Sequence, residues 1–449
     1  MSGSSPWAGA AAPARDAASG RDAVAAVSTA DAAARQPAPE ASPRAAGLLG
    51  RLNRWLDRDH LPDPAALRAL YEATLTDSAA NRLARQWADR YLAADADERR
   101  CLLAGLVHAG IGLEPHADHS SRLFRRLYAE SDRLALMVEL RADMLRWRNQ
   151  VAGVSALEQE LAVLLSNWFD VGMLELHHIN WDSPASLLEK LIQYEAVHEI
   201  RSWDDMRRRV AADRRCYAFF HPRMSDVPLI FVEVAFAEQM AADVQALIDP
   251  GRPLADLGKA RWAIFYSISN TQRGLRGISF GNFLLKRVIE ELLSELPRLK
   301  SFATLSPIPG FADWLGKRGG AEIQESLADK TERQAAAQDP EAGARWVDRL
   351  RAAASGAGPE SVRRTGLRLA AHYLRQLRGG DPLDPVARFH LGNGARIERL
   401  NWAADRSAKG LDQSCGLMVN YLYEPDQLDE NRARLAAGKP RISRGVQWL

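Results

Sequence analysis

The segment "ARWAIFYSISNTQRGLRGISFGNFLLKRVIEELLSELPRLKSFATLSPIPGF", residues 260–311, decides the fold class. Its opening, "ARWAIFYSIS", is rich in β-branched and aromatic residues and predicts a strand. "GNFLLKRVIEELLSELP" predicts a helix, because its apolar side chains fall on one face and its charged side chains on the other. "LKSFATLS" predicts the next strand, so the order strand, loop, helix, strand indicates a crossover connection in a mixed α/β domain. The apolar face of the predicted helix consists of Leu285, Val288, Ile289, Leu292 and Leu296.

The sequence before this segment has helical periodicity from about residue 47 to about residue 198. Strand-like segments, "CYAFFH" and "PLIFVEVAF", follow near residue 215. The sequence therefore predicts an α+β protein, with an all-helical domain over residues 46–198 and an α/β domain over residues 199–449. Three of the predicted helices begin with capping signals, namely Asp63 before Pro64, Ser155 with Glu158, and Ser183 before Pro184.

Residues 1–45 are rich in alanine, proline and serine and contain almost no large apolar side chains. Such a segment cannot bury enough surface to offset its chain entropy, so we predict that it is disordered. Its acidic residues argue against an organelle transit peptide, and the carboxyl end "VQWL" is not a peroxisomal signal. We therefore expect a cytoplasmic protein.

Charge and cysteine content exclude several classes of protein. The 59 Lys+Arg and 57 Asp+Glu residues give a net charge of +2, so there is no global basic surface for nucleic acid. No apolar run approaches the length of a membrane span, so we expect no membrane partner. Cys101, Cys216 and Cys415 are too widely spaced for a disulfide framework or a zinc ribbon, and we expect them to be buried, reduced thiols.

The loop "SISNTQRGLRGISFGNFLL", residues 267–285, lies between a predicted strand and a predicted helix. Its glycines, Gly274, Gly277 and Gly281, allow a ligand to approach the backbone, and N–H groups at a helix start attract phosphate. Arg273 and Arg276 add charge suited to phosphate oxygens. The pattern fits a pyrophosphate-binding loop, and it also fits an ordinary glycine-rich turn.

Two polar residues occupy conspicuous positions further along the chain. In "LSPIPGF", residues 305–311, Ser306 follows a predicted strand and precedes two prolines that stiffen the backbone. His390 precedes the turn signal "GNG". Taken alone, Ser306 is also consistent with a turn hydrogen bond, and His390 with a half-buried structural side chain.

Other candidates have simpler interpretations. His177 and His178 suggest a metal site, but no second cluster of ligands supports one, and adjacent residues on a helix do not face one site. His221 is expected at the end of a strand. Cys216 is expected to be a buried thiol, with a redox role as the alternative.

The glycine-rich loop resembles the R-G-x-G-x-G-x-x-L-L signature of the GCN5-type acyltransferase fold, whose backbone amides bind the pyrophosphate of coenzyme A. Ser279 stands where the middle glycine is usual, so the match is partial. The matching residues are Arg276, Gly277, Gly281, Leu284 and Leu285.

Several longer segments resemble the malonyl-CoA decarboxylase family, over residues 175–423. They are "WDSPASLLEKLIQYEAVHEI", "RRCYAFFHP", "AIFYSISNTQRGLRGISFGNFLLKRVIEEL", "TLSPIPGFADWL" and "RFHLGNGARIERLNWAADRSAKGLDQSCGLMVNYLY". The resemblance implies a helical domain used for homo-oligomerisation, followed by a catalytic domain of the acetyltransferase fold. It places the catalytic serine and histidine at Ser306 and His390. It places the acyl-CoA-binding loop at Arg276, Gly277, Ile278, Ser279, Phe280, Gly281 and Asn282.

The implied reaction, malonyl-CoA to acetyl-CoA and CO₂, explains why these residue types suffice. The thioester carbonyl accepts the electrons left by CO₂, so we expect no cofactor and no metal. The protein must supply hydrogen-bond donors for the enolate oxygen and a proton for its carbon. We expect Ser306 to hydrogen-bond the malonyl group and His390 to donate the proton, with exchange of these roles as an alternative. Asn393 and Tyr423 are further candidates for orienting donors.

Two other functions are compatible with the same motifs. One is a CoA-dependent acyltransferase that moves an acetyl group to an amine. The other is a non-catalytic, CoA-sensing scaffold, although Ser306 and His390 in their full motif contexts argue against it. Incubation with malonyl-CoA, with and without an amine acceptor, separates the three hypotheses.

Overall fold

The structure is a computed structural model that describes residues 67–68, 77–110, 117–129, 134–278, 284–356 and 358–449. The segment 1–45, predicted to be disordered, lies outside these residues. The predicted helix start at Asp63 and Pro64 also lies outside them.

A helical region comes first, and its core is built from apolar faces with a spacing of three and four residues. In the last of its helices, for example, Leu157, Leu161, Leu164 and Leu165 are buried. None of the described helices is both long enough and apolar enough to cross a bilayer. The helices are Asp77–Ala93 (α1), Ala96–His108 (α2), Ala117–Ala129 (α3), Leu134–Trp147 (α4) and Val154–Trp168 (α5).

Two of the predicted helix starts are wrong in detail. Gly153, with a φ of 82°, is the N-cap of α5, so Ser155 lies inside the helix and is not the cap. Pro184 is the N-cap of the helix Ala185–Tyr194 (α6), and the Ser183 hydroxyl oxygen instead accepts a hydrogen bond from the Asn180 N–H at 3.1 Å. In both cases a glycine or proline conformation sets the boundary within two residues of the polar side chain.

The prediction of helix throughout residues 47–198 is wrong at Glu175–Ile179 (β1), which forms a strand. This strand pairs antiparallel with Arg214–Phe220 (β2), from Glu175 opposite Phe220 to Ile179 opposite Cys216. Its stability depends on a partner far along the chain, and a five-residue edge strand carries little local signal. The helix Trp203–Arg209 (α7) lies between α6 and β2 in the chain.

A mixed sheet organises the rest of the chain. It has the order β1-β2-β3-β4-β5-β10-β6, with β9 paired to β10. Among the described strands, β4 and β5 form the parallel pair, and the helix Leu284–Glu295 (α9) connects them, which confirms the predicted crossover. The further strands of this sheet are Ile230–Ala237 (β3), Trp262–Asn270 (β4), Ser301–Thr304 (β5), Ser306–Pro307 (β6), Arg396–Asn401 (β9) and Met418–Tyr423 (β10), while Leu377–Arg378 (β7) and Asp381–Pro382 (β8) form a separate pair.

The sheet opens beside Ser306. β4 and β5 remain paired only as far as Phe265 opposite Thr304, and the Leu305 N–H still donates to the Phe265 carbonyl at 2.9 Å. The chain then leaves β4 but stays paired with β10, where Ser306 lies opposite Val419. Because β4 continues to Asn270, Ser306 lies at the point where β4 and its neighbour separate.

Further helices complete the domain. One of them, Pro385–Gly392, carries His390 near its end. The fold class predicted from the sequence, a helical region followed by a mixed α/β domain, is confirmed. The remaining helices are Val244–Ile248 (α8), Phe311–Gly316 (α10), Gly320–Ile323 (α11), Lys330–Ala336 (α12), Ala342–Ser355 (α13), Glu360–Arg375 (α14), Pro385–Gly392 (α15), Ala408–Ser414 (α16), Leu428–Ala436 (α17) and Arg444–Gln447 (α18).

Candidate active site

Ser306 lies in β6, and 6% of its surface is exposed. The backbone there is fixed by pairing with β10 and by the ring of the following Pro307. The Ser306 hydroxyl donates to Thr304 Oγ1 at 2.8 Å, and its oxygen lies 3.2 Å from His390 Nε2. The structure therefore brings together the serine and histidine predicted from the sequence, which are 84 positions apart.

His390 lies in the last turn of α15, and Asp384 fixes where this helix begins. The Asp384 carboxylate accepts hydrogen bonds from the Val386 and Ala387 N–H groups, at 3.0 and 2.8 Å. Asp384 was not identified from the sequence, although Asp384 followed by Pro385 repeats the helix-start signal of Asp63 and Pro64. The cap sets the position of α15 and hence of the imidazole.

The protonation state of His390 follows from its burial and its partners. His390 Nδ1 lies 2.7 Å from the Tyr423 hydroxyl. Burial lowers the pKa of His390 to about 3 and raises the pKa of Tyr423 well above its usual value. At neutral pH the phenol therefore keeps its proton and donates it to Nδ1. Because the Ser306 proton is directed to Thr304, the imidazole carries its own proton on Nε2 and presents it to the Ser306 oxygen.

β10 holds the imidazole ring from a second direction. The Tyr421 ring stacks on His390, with ring centroids 4.6 Å apart and planes inclined by 26°. The Tyr421 backbone N–H also donates to Thr304 Oγ1 at 3.1 Å. Thr304 and Tyr421 thus restrict both the hydroxyl and the ring, and neither residue was identified from the sequence. Both residues are buried in strands, so the sequence around them predicts core packing and does not indicate a role in the site.

The predicted acyl-CoA-binding loop is partly described. Arg276 is exposed, Gly277 has a φ of 79°, which favours glycine, and Ile278 is buried. Ser279, Phe280, Gly281 and Asn282 lie outside the described residues.

The described half of the loop rests on α4 of the helical region. Arg141 Nη1 donates to the carbonyl oxygens of Gly274 and Arg276, at 2.6 and 2.9 Å. A Cβ atom on Gly274 would lie only 1.7 Å from the Val138 carbonyl oxygen, so glycine is required for this contact. The buried Arg141 is itself held by Glu158, 2.7 Å away.

Comparison with known proteins is consistent with this geometry. Residues 172–448 match the family model of the malonyl-CoA decarboxylase C-terminal domain, and residues 113–169 match that of the N-terminal domain. The chain belongs to the malonyl-CoA decarboxylase family. The resemblance inferred from the sequence is therefore confirmed.

Solved structures of this family have similar folds. Malonyl-CoA decarboxylase from Cupriavidus metallidurans is 53% identical, with a TM-score of 0.75, and the match covers 86% of this chain and 98% of that one. Malonyl-CoA decarboxylase from Rhodopseudomonas palustris is 36% identical, with a TM-score of 0.71 and the same coverages. The mitochondrial malonyl-CoA decarboxylase of Mus musculus is 38% identical over 69% of this chain, and the match spans 66% of the mouse protein.

Asn393 differs from Tyr423, the other predicted orienting donor, in its hydrogen bonds. Its amide group donates to the Phe389 carbonyl at 2.7 Å, at the end of α15. Its buried Oδ1 has no hydrogen-bond partner among the described residues. A role of Asn393 as a donor to the substrate stays a prediction.

The remaining candidates have structural positions. His177 and His178 are adjacent on β1 rather than on a helix, and the described residues contain no group of three or more His, Cys, Asp or Glu side chains arranged for a metal. His221 follows β2, and its Nδ1 accepts from the Arg223 N–H at 3.0 Å, in line with the predicted strand end. Cys216 is a buried free thiol whose pKa is raised by burial, as is Cys415, whereas Cys101 is only half-buried.

Arg141→Met should raise the KM for malonyl-CoA by about tenfold or more while changing kcat much less. The reason is that the loop loses two charge-assisted hydrogen bonds, whereas Ser306 and His390 are untouched. Steady-state kinetics checks this split, with Arg148→Met, an exposed arginine just after α4, as the control. The double variant Arg141→Met/Glu158→Gln also removes the carboxylate that Arg141→Met leaves unpaired. A raised KM in the double variant therefore does not result from that carboxylate. An unchanged KM in both folded variants would mean that Arg141 does not position the loop.

Proposed function

We propose that this chain decarboxylates malonyl-CoA to acetyl-CoA and CO₂. The observation that carries the proposal is the hydrogen-bonded series Thr304, Ser306, His390 and Tyr423 at the opening of the sheet. The family to which the chain belongs, and the names of its relatives, supply the substrate. Within the β4–β5 opening, the malonyl group would reach Ser306 while the nucleotide part of coenzyme A rests on the loop that follows β4.

The proposed mechanism uses the chain's own donors. As the bond to CO₂ breaks, its electron pair moves into the thioester carbonyl and forms an enolate. The Ser306 hydroxyl would turn from Thr304 to this oxygen and stabilise its charge. A neutral imidazole is a weak acid, but neutral imidazole serves as an electrophile in other enzymes. The enolate carbon is a strong base, which favours transfer of the proton to it. His390 would therefore protonate that carbon from Nε2 while its Nδ1 takes the proton of the Tyr423 hydroxyl. The resulting phenolate, whose pKa is raised by burial, would take a proton back from solvent and so restore the site before the next turnover.

The low pKa of His390 also bears on the acyltransferase alternative. Transfer to an amine needs a general base that removes a proton from the acceptor. An imidazole whose pKa is lowered to about 3 by burial is a poor base at neutral pH. A donor site for an enolate fits these properties better than a transferase site does.

The test is incubation of the protein with malonyl-CoA, with and without an amine acceptor such as a lysine-containing peptide. We expect acetyl-CoA and CO₂ in equal amounts, at a rate independent of the amine. Malonylated peptide and free coenzyme A, formed without release of CO₂, would support the acyltransferase. Binding of malonyl-CoA without any product would support the scaffold.

Removal of metal ions should leave the activity unchanged. The thioester itself accepts the electrons, so neither a metal nor a prosthetic group is needed in the proposed mechanism. Turnover is to be measured before and after dialysis against EDTA, with a metalloenzyme in the same dialysis as the control. Loss of turnover that one added divalent metal restores would contradict this proposal.

We further propose a homo-oligomer formed through the helical region, and a cytoplasmic location. Leu92 on α1 and Val163 on α5 support the first point, because 43% and 62% of their surfaces are exposed. Light scattering of the parent protein and of Leu92→Ser/Val163→Ser measures the mass of each. Fractionation of the source cells tests the location, since the curated mouse relative is a mitochondrial protein.

A further inference from the structure

A cavity of about 730 Å³ lies away from the candidate active site. β9, the end of α17 and the segment leading into α18 line it. Five arginines line this arginine cavity, together with one carboxylate, Glu398; they are Arg396, Arg399, Arg434, Arg441 and Arg444.

The strand registers place the arginine cavity at the opposite end of the sheet from the acyl-CoA loop. The loop follows the last residue of β4, Asn270, which pairs with Ile230 at the start of β3. The cavity instead includes Met240, just beyond the end of β3, and Arg396 at the start of β9. Arg396 lies opposite Leu422, which in turn pairs with Ala303 of β5. A ligand in the cavity would therefore not occupy the proposed acyl-CoA loop.

Most of the positive charge in the cavity has no acidic partner. Arg396 forms ion pairs with Glu398 and Glu424, at 2.7 and 2.6 Å. Arg399 donates only to the neutral oxygens of Asn420, Met240 and Ala241.

The remaining three arginines of the cavity also lack an ion pair with a carboxylate among the described residues. Arg441 contacts the neutral Asn431 Oδ1 at 3.4 Å. Arg434 and Arg444 are exposed, and among the described residues no carboxylate pairs with either side chain. Four of the five guanidinium groups thus form no ion pair with a carboxylate among the described residues, and Glu398 is the single carboxylate in the lining.

Burial lowers the pKa of Arg399, because its charge is removed from water without an ion-pair partner. A concave surface of one sign concentrates ions of the opposite sign. Guanidinium groups match phosphate oxygens with paired hydrogen bonds. Five arginines against one lining carboxylate leave more positive charge than one phosphate neutralises.

We propose that the arginine cavity binds an anion that carries two or more phosphate groups. Such a group belongs either to a soluble phosphorylated metabolite or to lipid headgroups. The volume and concave shape of the arginine cavity suit a small molecule, and the site is independent of the proposed decarboxylation.

Arg434 and Arg444 are the residues to change. Arg399 is unsuitable, because it contacts Asn420, whose amide donates to the Thr304 carbonyl beside Ser306. Arg434→Glu/Arg444→Glu alters charge at the cavity only. Arg298→Glu/Arg364→Glu makes the same change at two exposed arginines outside the cavity. Arg276→Ala reports binding of the probe at the acyl-CoA loop.

The probe is inorganic tripolyphosphate, and its binding is measured by isothermal titration calorimetry. We expect binding to the parent, about tenfold or more weaker binding to Arg434→Glu/Arg444→Glu, and nearly parental binding to the other two variants. Equal weakening by the control pair would show a non-specific charge effect and overturn the site. If Arg276→Ala is the only variant that loses tripolyphosphate binding, the probe binds at the acyl-CoA loop, and the proposal is also overturned. If the glutamate pair does not fold, Arg434→Gln/Arg444→Gln replaces it.

Co-sedimentation with vesicles that contain cardiolipin, a lipid with two phosphate groups, separates the two sources of phosphate. Tripolyphosphate binding without co-sedimentation supports a soluble ligand. Co-sedimentation that the glutamate pair abolishes supports a lipid headgroup. Absence of both kinds of binding in the parent overturns the proposal.

Discussion

Replacing Ser306 by alanine, or His390 by asparagine, should lower kcat for malonyl-CoA by about 10²–10⁴. Each variant removes one donor from a site in which both groups are buried and fixed. The KM should change much less, because the coenzyme A part of the substrate is expected to bind at the loop after β4. Steady-state release of CO₂ and acetyl-CoA measures both parameters.

The double variant Ser306→Ala/His390→Asn distinguishes joint from separate action. Residues that act on one transition state are not additive, so the double loss should be far smaller than the product of the single losses. Ser355→Ala and His372→Asn, at residues outside the site, are matched controls that should retain parental kcat. Near-parental kcat in either folded single variant would assign that residue a structural role. Cleanly multiplying losses would indicate two separate steps.

Arg209→Met should destabilise the protein by about 3–5 kcal/mol, the usual cost of leaving one charge of a buried pair without its partner. Arg209 of α7 and Glu233 of β3 are almost fully buried and lie 2.6 Å apart. Arg209 Nη1 donates to Glu233 Oε2, and Glu233 Oε1 has no hydrogen-bond partner among the described residues. Urea unfolding at pH 8 measures the loss in the free energy of unfolding.

The pH dependence of this loss has a definite sign. Burial raises the pKa of Glu233 to about 7 even with Arg209 nearby, so the folded state favours the protonated carboxyl. The loss in Arg209→Met should therefore be smallest below pH 7, where the carboxyl is protonated in the folded state with or without Arg209, and should grow as the pH rises above 7.

Removing both charges tests the cause. Arg209→Met/Glu233→Leu should recover most of the lost stability, since apolar groups of similar volume replace the pair. Arg351→Met, which breaks an exposed pair with Asp412, should cost no more than about 1 kcal/mol. If Arg209→Met and Arg351→Met cost the same, the buried pair has no special role.

Local sequence patterns were sufficient for the elements whose signals are local. The crossover helix α9 buries Leu285, Val288, Ile289 and Leu292, as its periodicity predicts. Its flanking strands were equally clear, because both faces of β4 and β5 are largely apolar and buried. The pairing of Ser306 with His390 came from motif resemblance rather than from any periodicity.

The contacts that shape the site were not predictable in the same way. Arg141 supports a loop more than a hundred residues away, and a buried arginine has no distinctive local pattern. Tyr421 and Thr304 look like ordinary core residues, since only the three-dimensional arrangement brings them to His390 and Ser306. The strand β1 likewise exists because of pairing with β2. Long-range contacts therefore determine the parts of the site that the sequence left undetermined.

The position of β10 has a consequence for biosynthesis. This strand comes late in the sequence, yet it lies between β5 and β6 and supplies Tyr421 and Tyr423. While the ribosome is still making the chain, β5 keeps an open edge that can pair with other chains. The site is completed only when residues 418–423 leave the ribosome. Chains cut short before Met418 should therefore aggregate as well as lack activity.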